Sequence, residues 1–149
     1  MPINQLGLAS PAIRPPQPFL LTMTNELNQI VFVYGSLKQG QRLHHAIQGQ
    51  QFLGNSTTCP DYALYDCGDY PALVKVAANG ESVKGELYRV DSNCLQNLDN
   101  IECVDEGLYC RKPVDLLPRD DEDDSSDIVW AWFYLQSIDG LRRCGNQWP

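Results

Sequence analysis

Glu102 closes a run in which Cys94, Leu95, Leu98 and Ile101 recur at three- and four-residue steps. On a helix these positions share one face, the pattern of a stripe turned toward a core. A carboxylate that continues such a stripe is costly to bury unless it is paired, hydrogen-bonded or protonated. Burial raises its pKa toward neutrality, the range in which a general acid/base works. The spacing also fits a plainer arrangement, in which Glu102 emerges at the helix end and meets water or the nearby cations Arg111 and Lys112. Periodicity leaves both readings open.

A second feature with chemical meaning is Tyr34-Gly35-Ser36-Leu37-Lys38, which interrupts the apolar run Ile30 to Tyr34. Backbone N–H groups in such a turn point outward without partners. The spacing of Leu43, Ala46 and Ile47 predicts a short helix over 38–48 with Gly49 as its cap, and its N-terminus would add positive potential. Together these groups would receive a carboxylate, a phosphate or a developing oxyanion. The spacing matches neither a phosphate-binding loop nor a dinucleotide fingerprint, so no nucleotide site follows. A Gly-Ser turn is also common as a simple connection.

Other polar residues carry less. Asp99 lies off the apolar stripe, and Asp91 is better explained as a helix cap. Glu86 competes with Glu102, because strand alternation does not say whether it faces a cavity. His44-His45 has no i, i+4 partner and no neighbouring glutamate, so it reads as surface and no metal site is expected. Cys110 has no histidine near it in sequence to activate a thiolate.

The elements that must position these residues follow from pattern. The run Ile30-Val31-Phe32-Val33-Tyr34 predicts a strand buried on both faces. Further strands are expected at 51–53, 62–65, 72–76 and 82–90, with Asn79-Gly80 as a hairpin turn between the last two. Asp91 caps a helix running from Ser92 to about Glu102. Two paired strands follow, 109–117 and 128–135, joined by an acidic loop over 119–127 that reads as solvated. That loop contains no glycine for the sharp turn of a calcium site. Residues 1–28, rich in Pro, Gln and Asn, read as a flexible leader, with Met23 as an alternative start. The domain spans 29–136, and 137–149 reads as an irregular tail. Many strands with two short helices indicate an α+β domain built on a small, closed or nearly closed sheet.

The net charge of −8, with few and dispersed basic residues, argues against a nucleic-acid partner. No stretch is long and apolar enough to cross a bilayer, and Pro11, Pro15, Pro16 and Pro18 break up any signal-like segment. The expectation is a cytoplasmic protein without a membrane partner. Its six cysteines show no two-residue spacing and are expected as free thiols.

In combination these segments resemble the gamma-glutamylcyclotransferase-like family. The resemblance is carried in order by Tyr34-Gly35-Ser36-Leu37-Lys38-Gln39-Gly40, Asp69-Tyr70-Pro71-Ala72-Leu73-Val74, 83–91, Leu98-Asp99-Asn100-Ile101-Glu102, Tyr109-Cys110-Arg111 and Ala131-Trp132-Phe133-Tyr134. It spans roughly residues 30–135 and most resembles the gamma-glutamylamine cyclotransferase branch with its avirulence-induced-like proteins. The resemblance implies a small mixed β-barrel flanked by two short helices. It implies release of 5-oxoproline from a γ-glutamyl amine or amide, without metal or cofactor. Carried over residue by residue, the acid/base falls on Glu102 and the substrate-holding loop on Tyr34, Gly35, Ser36 and Leu37. Tyr109 and Tyr134 match tyrosines that line the pocket. The acidic loop and the leader depart from the family pattern without touching these motifs. A non-catalytic module that binds a γ-glutamyl or amino-acid-like ligand is the alternative function.

Overall fold

A computed structural model describes residues 28–118 and 127–149. The expected leader, apart from Asn28, and residues 119–126 of the acidic loop lie outside the described residues.

The strands are β1 (Gln29–Val33), β2 (Gln51–Thr57), β3 (Tyr62–Asp66), β4 (Pro71–Lys75), β5 (Lys84–Val90), β6 (Tyr109–Pro113), β7 (Val129–Tyr134) and β8 (Arg142–Arg143). The helix α1 spans Ser92–Ile101, and single 3-10 turns occupy His44–Ala46 and Val104–Glu106. Five strands form one sheet in the order β2-β5-β1-β7-β6, and three form a second in the order β4-β3-β8. Within the first, β1 runs antiparallel to β5 and parallel to β7. The α+β class holds. The expected barrel does not close: the sheets are open, with β2 and β6 at the edges of the larger one.

β1 is central because its side chains are apolar on both faces. Val31 and Val33 pack with Leu98, Trp132 and Tyr109 on the side of α1. Phe32 and Tyr34 point the other way, onto Tyr62, Leu64 and Leu73 of the smaller sheet. This period-2 division is what a strand sandwiched between two layers requires. β6 and β7 pair antiparallel from Tyr109↔Tyr134 to Pro113↔Trp130, as expected of the two closing strands.

Three further expectations fail. The segment 38–48 is not an α-helix. Gly40 takes φ +83°, the Leu43 N–H donates to Ser36 O at 2.9 Å, and only the 3-10 turn His44–Ala46 is regular. Leu43, Ala46 and buried Ile47 still pack on the core, so their spacing reports burial and not helix. Asn79 does adopt φ 60°, yet the strands it separates belong to different sheets and make no hairpin. The turn instead brings Gly80 against the backbone of Pro60, where a Cβ would meet Pro60 O at 2.5 Å, and lets the Glu81 N–H donate to Tyr62 O. Finally, the tail is not wholly irregular. β8 pairs with β3, Lys38 Nζ donates to Trp148 O at 2.8 Å, and Gln41 Nε2 donates to Pro149 O at 2.9 Å. No helix of the described residues is long and apolar enough to cross a membrane, which says nothing of spanning by strands. All six cysteines stand as free thiols.

Candidate active site

Helix α1 starts as its sequence dictates, with the Asp91 side chain accepting from Cys94 N at 2.8 Å. Cys94 and Leu98 bury the stripe, and Glu102 is the C-terminal cap residue, its N–H donating to Leu98 O at 2.9 Å. The next residue, Cys103, sits in the left-handed region at φ 55° and ends the helix abruptly. The chain then makes the 3-10 turn Val104–Glu106 and enters β6 at Tyr109.

Glu102 is thereby delivered to a cavity of about 230 Å³, which also takes in Tyr34, Gly35, Ser36, Leu37 and Tyr109. Its carboxylate forms no hydrogen bond or ion pair with another described residue. Arg111 is committed elsewhere: its Nε and Nη2 donate to Asp99 at 3.0 and 3.1 Å. Burial, and secondarily the charge on Asp99, push the Glu102 carboxyl up from the ordinary 4.5 to about 7. A carboxyl with a pKa near neutrality is suited to both accept and return a proton at pH 7.

The glycine turn supplies the facing wall. Lys38 N–H donates to Gly35 O at 3.0 Å, which closes the turn. The N–H groups of Gly35, Ser36 and Leu37 are donated to no acceptor among the described residues. Without a helix behind it, the turn gains no helix-terminal potential, and these dipoles alone favour an anion. Gly35 is required by a close approach: a Cβ there would meet Pro71 Cδ at 2.8 Å and Cγ closer still.

The tyrosines divide the remaining work. Tyr34 turns its hydroxyl away into the core, donating to Trp132 O at 2.6 Å, and burial raises its pKa well above the ordinary value. It braces the floor and offers its backbone side to the turn. Tyr109 donates to Pro71 O at 2.5 Å, and its pKa too is raised, first by burial and then by the Glu102 charge. Tyr134 does not line the cavity; its ring stands edge-on to Tyr109 at 5.5 Å and supports it from behind. Glu86 faces elsewhere, accepting from Gln39 N–H and the Tyr88 hydroxyl, both at 3.0 Å.

Residues that sequence reasoning does not place here include Arg42, Tyr70, Cys103 and Trp132. Tyr70 and Trp132 sit inside the quoted motifs, which is a usable signal. Arg42 has none, because it falls within a segment expected as helix. Among the described residues no group of three His, Cys, Asp or Glu side chains is placed to hold a metal ion.

Comparison with known proteins extends this picture. The family described as "Gamma-glutamyl cyclotransferase, AIG2-like" matches residues 31–148. A protein of Vibrio cholerae is 38% identical over 111 residues, 74% of this chain and 86% of its own. Gamma-glutamylaminecyclotransferase A of Danio rerio is 38% identical over 94 residues, 58% of this chain and 57% of its own. The crystal structure of an aig2-like protein from Mus musculus superposes with a TM-score of 0.57 at 28% identity, covering 74% of this chain and 78% of that one. The match begins inside β1, runs through the turn, α1 and β7, and includes the tail that Lys38 holds. The chain belongs to the gamma-glutamyl cyclotransferase, AIG2-like family.

Proposed function

We propose that this protein cyclises a γ-glutamyl amine or amide, releasing 5-oxoproline and the free amine. The observation that carries the reading is an unpaired carboxylate, Glu102, with its pKa raised to about 7, sharing one small cavity with three undonated backbone N–H groups.

A γ-glutamyl group carries its own nucleophile. Its α-nitrogen attacks the γ-carbonyl carbon, a five-membered lactam forms, and the bond to the departing nitrogen breaks. Glu102 as carboxylate takes a proton from the α-ammonium to free the lone pair. As the acid it then delivers a proton to the departing nitrogen, and the second proton shed by the ring nitrogen passes to the released amine, which leaves as its ammonium form. The turn from Gly35 to Leu37 holds the α-carboxylate or the developing oxyanion; loss of one such donor typically costs about 100-fold in rate. Folding the chain so that amine meets carbonyl draws on the roughly 7–11 kcal/mol available to well-oriented intramolecular reactions. No step requires a metal or cofactor.

The test is 5-oxoproline release from a γ-glutamyl dipeptide and from γ-glutamyl-ε-lysine by wild type and Glu102→Gln. Turnover by wild type and its loss in the variant are expected. Full activity in the variant overturns the assignment, because Gln keeps the size and removes the proton transfer. Saturable binding of these compounds by wild type without turnover would instead identify a binding module.

A further inference from the structure

The cavity has a buried floor and an open rim. Val33, Tyr34, Tyr109 and Trp132 form the floor and are almost wholly buried, whereas Arg42 and Ile101 at the rim are exposed. Arg42 is the one cationic side chain lining the cavity among the described residues. Its Nη2 donates to Asp69 O at 3.3 Å, a neutral acceptor beside Tyr70, and this contact holds the guanidinium at the mouth. No carboxylate of the described residues pairs with it. An arginine has five N–H donors in a fixed fork, and this one spends a single hydrogen bond on a neutral carbonyl and none on a carboxylate among the described residues.

The place of Glu102 in the cavity decides what reaches that rim. The head must lie inside for its α-nitrogen to reach Glu102. Everything beyond the departing nitrogen then extends toward the rim, where Arg42 stands.

Resting on the cyclisation reading above, we propose that Arg42 is a specificity-determining residue that selects γ-glutamyl compounds whose departing amine carries a carboxylate near its nitrogen. A carboxylate matches the guanidinium fork with two parallel hydrogen bonds, which a neutral amide or a cationic amine does not. The departing group of a γ-glutamyl α-amino acid has this form. If Arg42 gripped the α-carboxylate of the head instead, it would serve every γ-glutamyl substrate equally.

The experiment compares γ-glutamyl-alanine with γ-glutamyl-alaninamide, which differ only in that carboxylate. Wild type is expected to prefer the acid in kcat/KM by roughly five-fold or more, an advantage that shrinks with added salt at an exposed site. In Arg42→Gln the acid-to-amide ratio falls toward one, and Arg42→Lys restores part of it. A ratio unchanged by Arg42→Gln, or equal losses on both compounds, overturns the proposal while leaving cyclisation intact. Calorimetric binding of both compounds to Glu102→Gln and to the Arg42→Gln/Glu102→Gln double variant needs no turnover. Equal affinity of the first for acid and amide also overturns the proposal. Absence of 5-oxoproline release by wild type, with the acid preference kept in binding, defeats the cyclisation reading alone.

Discussion

Arg111 places both arms of its guanidinium on Asp99, at 3.0 and 3.1 Å, three residues before Glu102 on the same helix. Trp132 Nε1 adds a third donor to the same carboxylate at 2.9 Å, and Arg111 also lies over the Trp130 ring. The cation best placed in sequence to neutralise Glu102 is thus bound by its neighbour, and Glu102 faces the cavity without a counter-ion.

The rate should carry this arrangement as a pH profile. Because the proposed base is the carboxylate and its pKa is about 7, kcat/KM for 5-oxoproline release should rise with pH and level off above about 7. Glu102→Gln should lose roughly 100-fold or more and show no such limb. A limb of the same position in the variant would place the titrating group elsewhere.

Stability should move in the opposite sense. Glu102 binds its proton more tightly in the folded chain than in the unfolded one, where the ordinary value is 4.5. Between about pH 4.5 and 7 the folded state holds more protons, so stability falls as pH rises, and the full penalty stands above 7. Glu102→Gln, never charged, should match wild type near pH 4.5 and exceed it at pH 8 by about 1–3 kcal/mol in urea denaturation. An equal gap at both pH values would exclude buried charge as the cause.

Asp99→Asn removes a negative neighbour of Glu102 and frees the charge of Arg111. Both changes lower the Glu102 pKa, so the acid limb of the rate profile should shift to lower pH. The lost pairing should also cost about 1–3 kcal/mol of stability. A limb that stays in place or moves upward would contradict the electrostatic coupling.

Gly35→Ala tests the turn by shape alone. The added methyl runs into the Pro71 ring, whose carbonyl anchors Tyr109, so the displacement reaches the far wall of the cavity. Denaturation should show a loss of about 1–3 kcal/mol, and kcat/KM should fall at least about ten-fold. A variant of normal stability and rate would show that Pro71 yields without effect.

Much of this arrangement is legible in the order of residues alone. The alternation of Val31 and Val33 against Phe32 and Tyr34 foretells a strand buried on both faces, and Asp91 with Cys94 and Leu98 foretells the helix that delivers Glu102. These are local patterns, decided within a few residues. What escapes such reading depends on distant partners. The burial of Leu43, Ala46 and Ile47 imitates a helical stripe, while Gly40, the Leu43–Ser36 bond and the tail contacts of Lys38 and Gln41 hold the segment in turns. The Asn79-Gly80 turn is real, yet its flanking strands find their partners in separate sheets. Whether Glu102 meets Arg111 or stands alone turns on Asp99, whose place off the apolar stripe is what lets it reach that arginine.

The parallel pairing of β1 with β7 also governs when the site comes into being. Tyr34 and Trp132, joined by one hydrogen bond across this pair, are 98 residues apart. A chain synthesised from its N-terminus makes the turn 35–37 well before β7 and before Trp148 and Pro149, which Lys38 and Gln41 hold. Such non-local closure slows folding relative to local structure of similar stability. Trp132 of β7 lines the cavity beside Glu102 and the turn, so a nascent chain that ends before β7 lacks one wall of it.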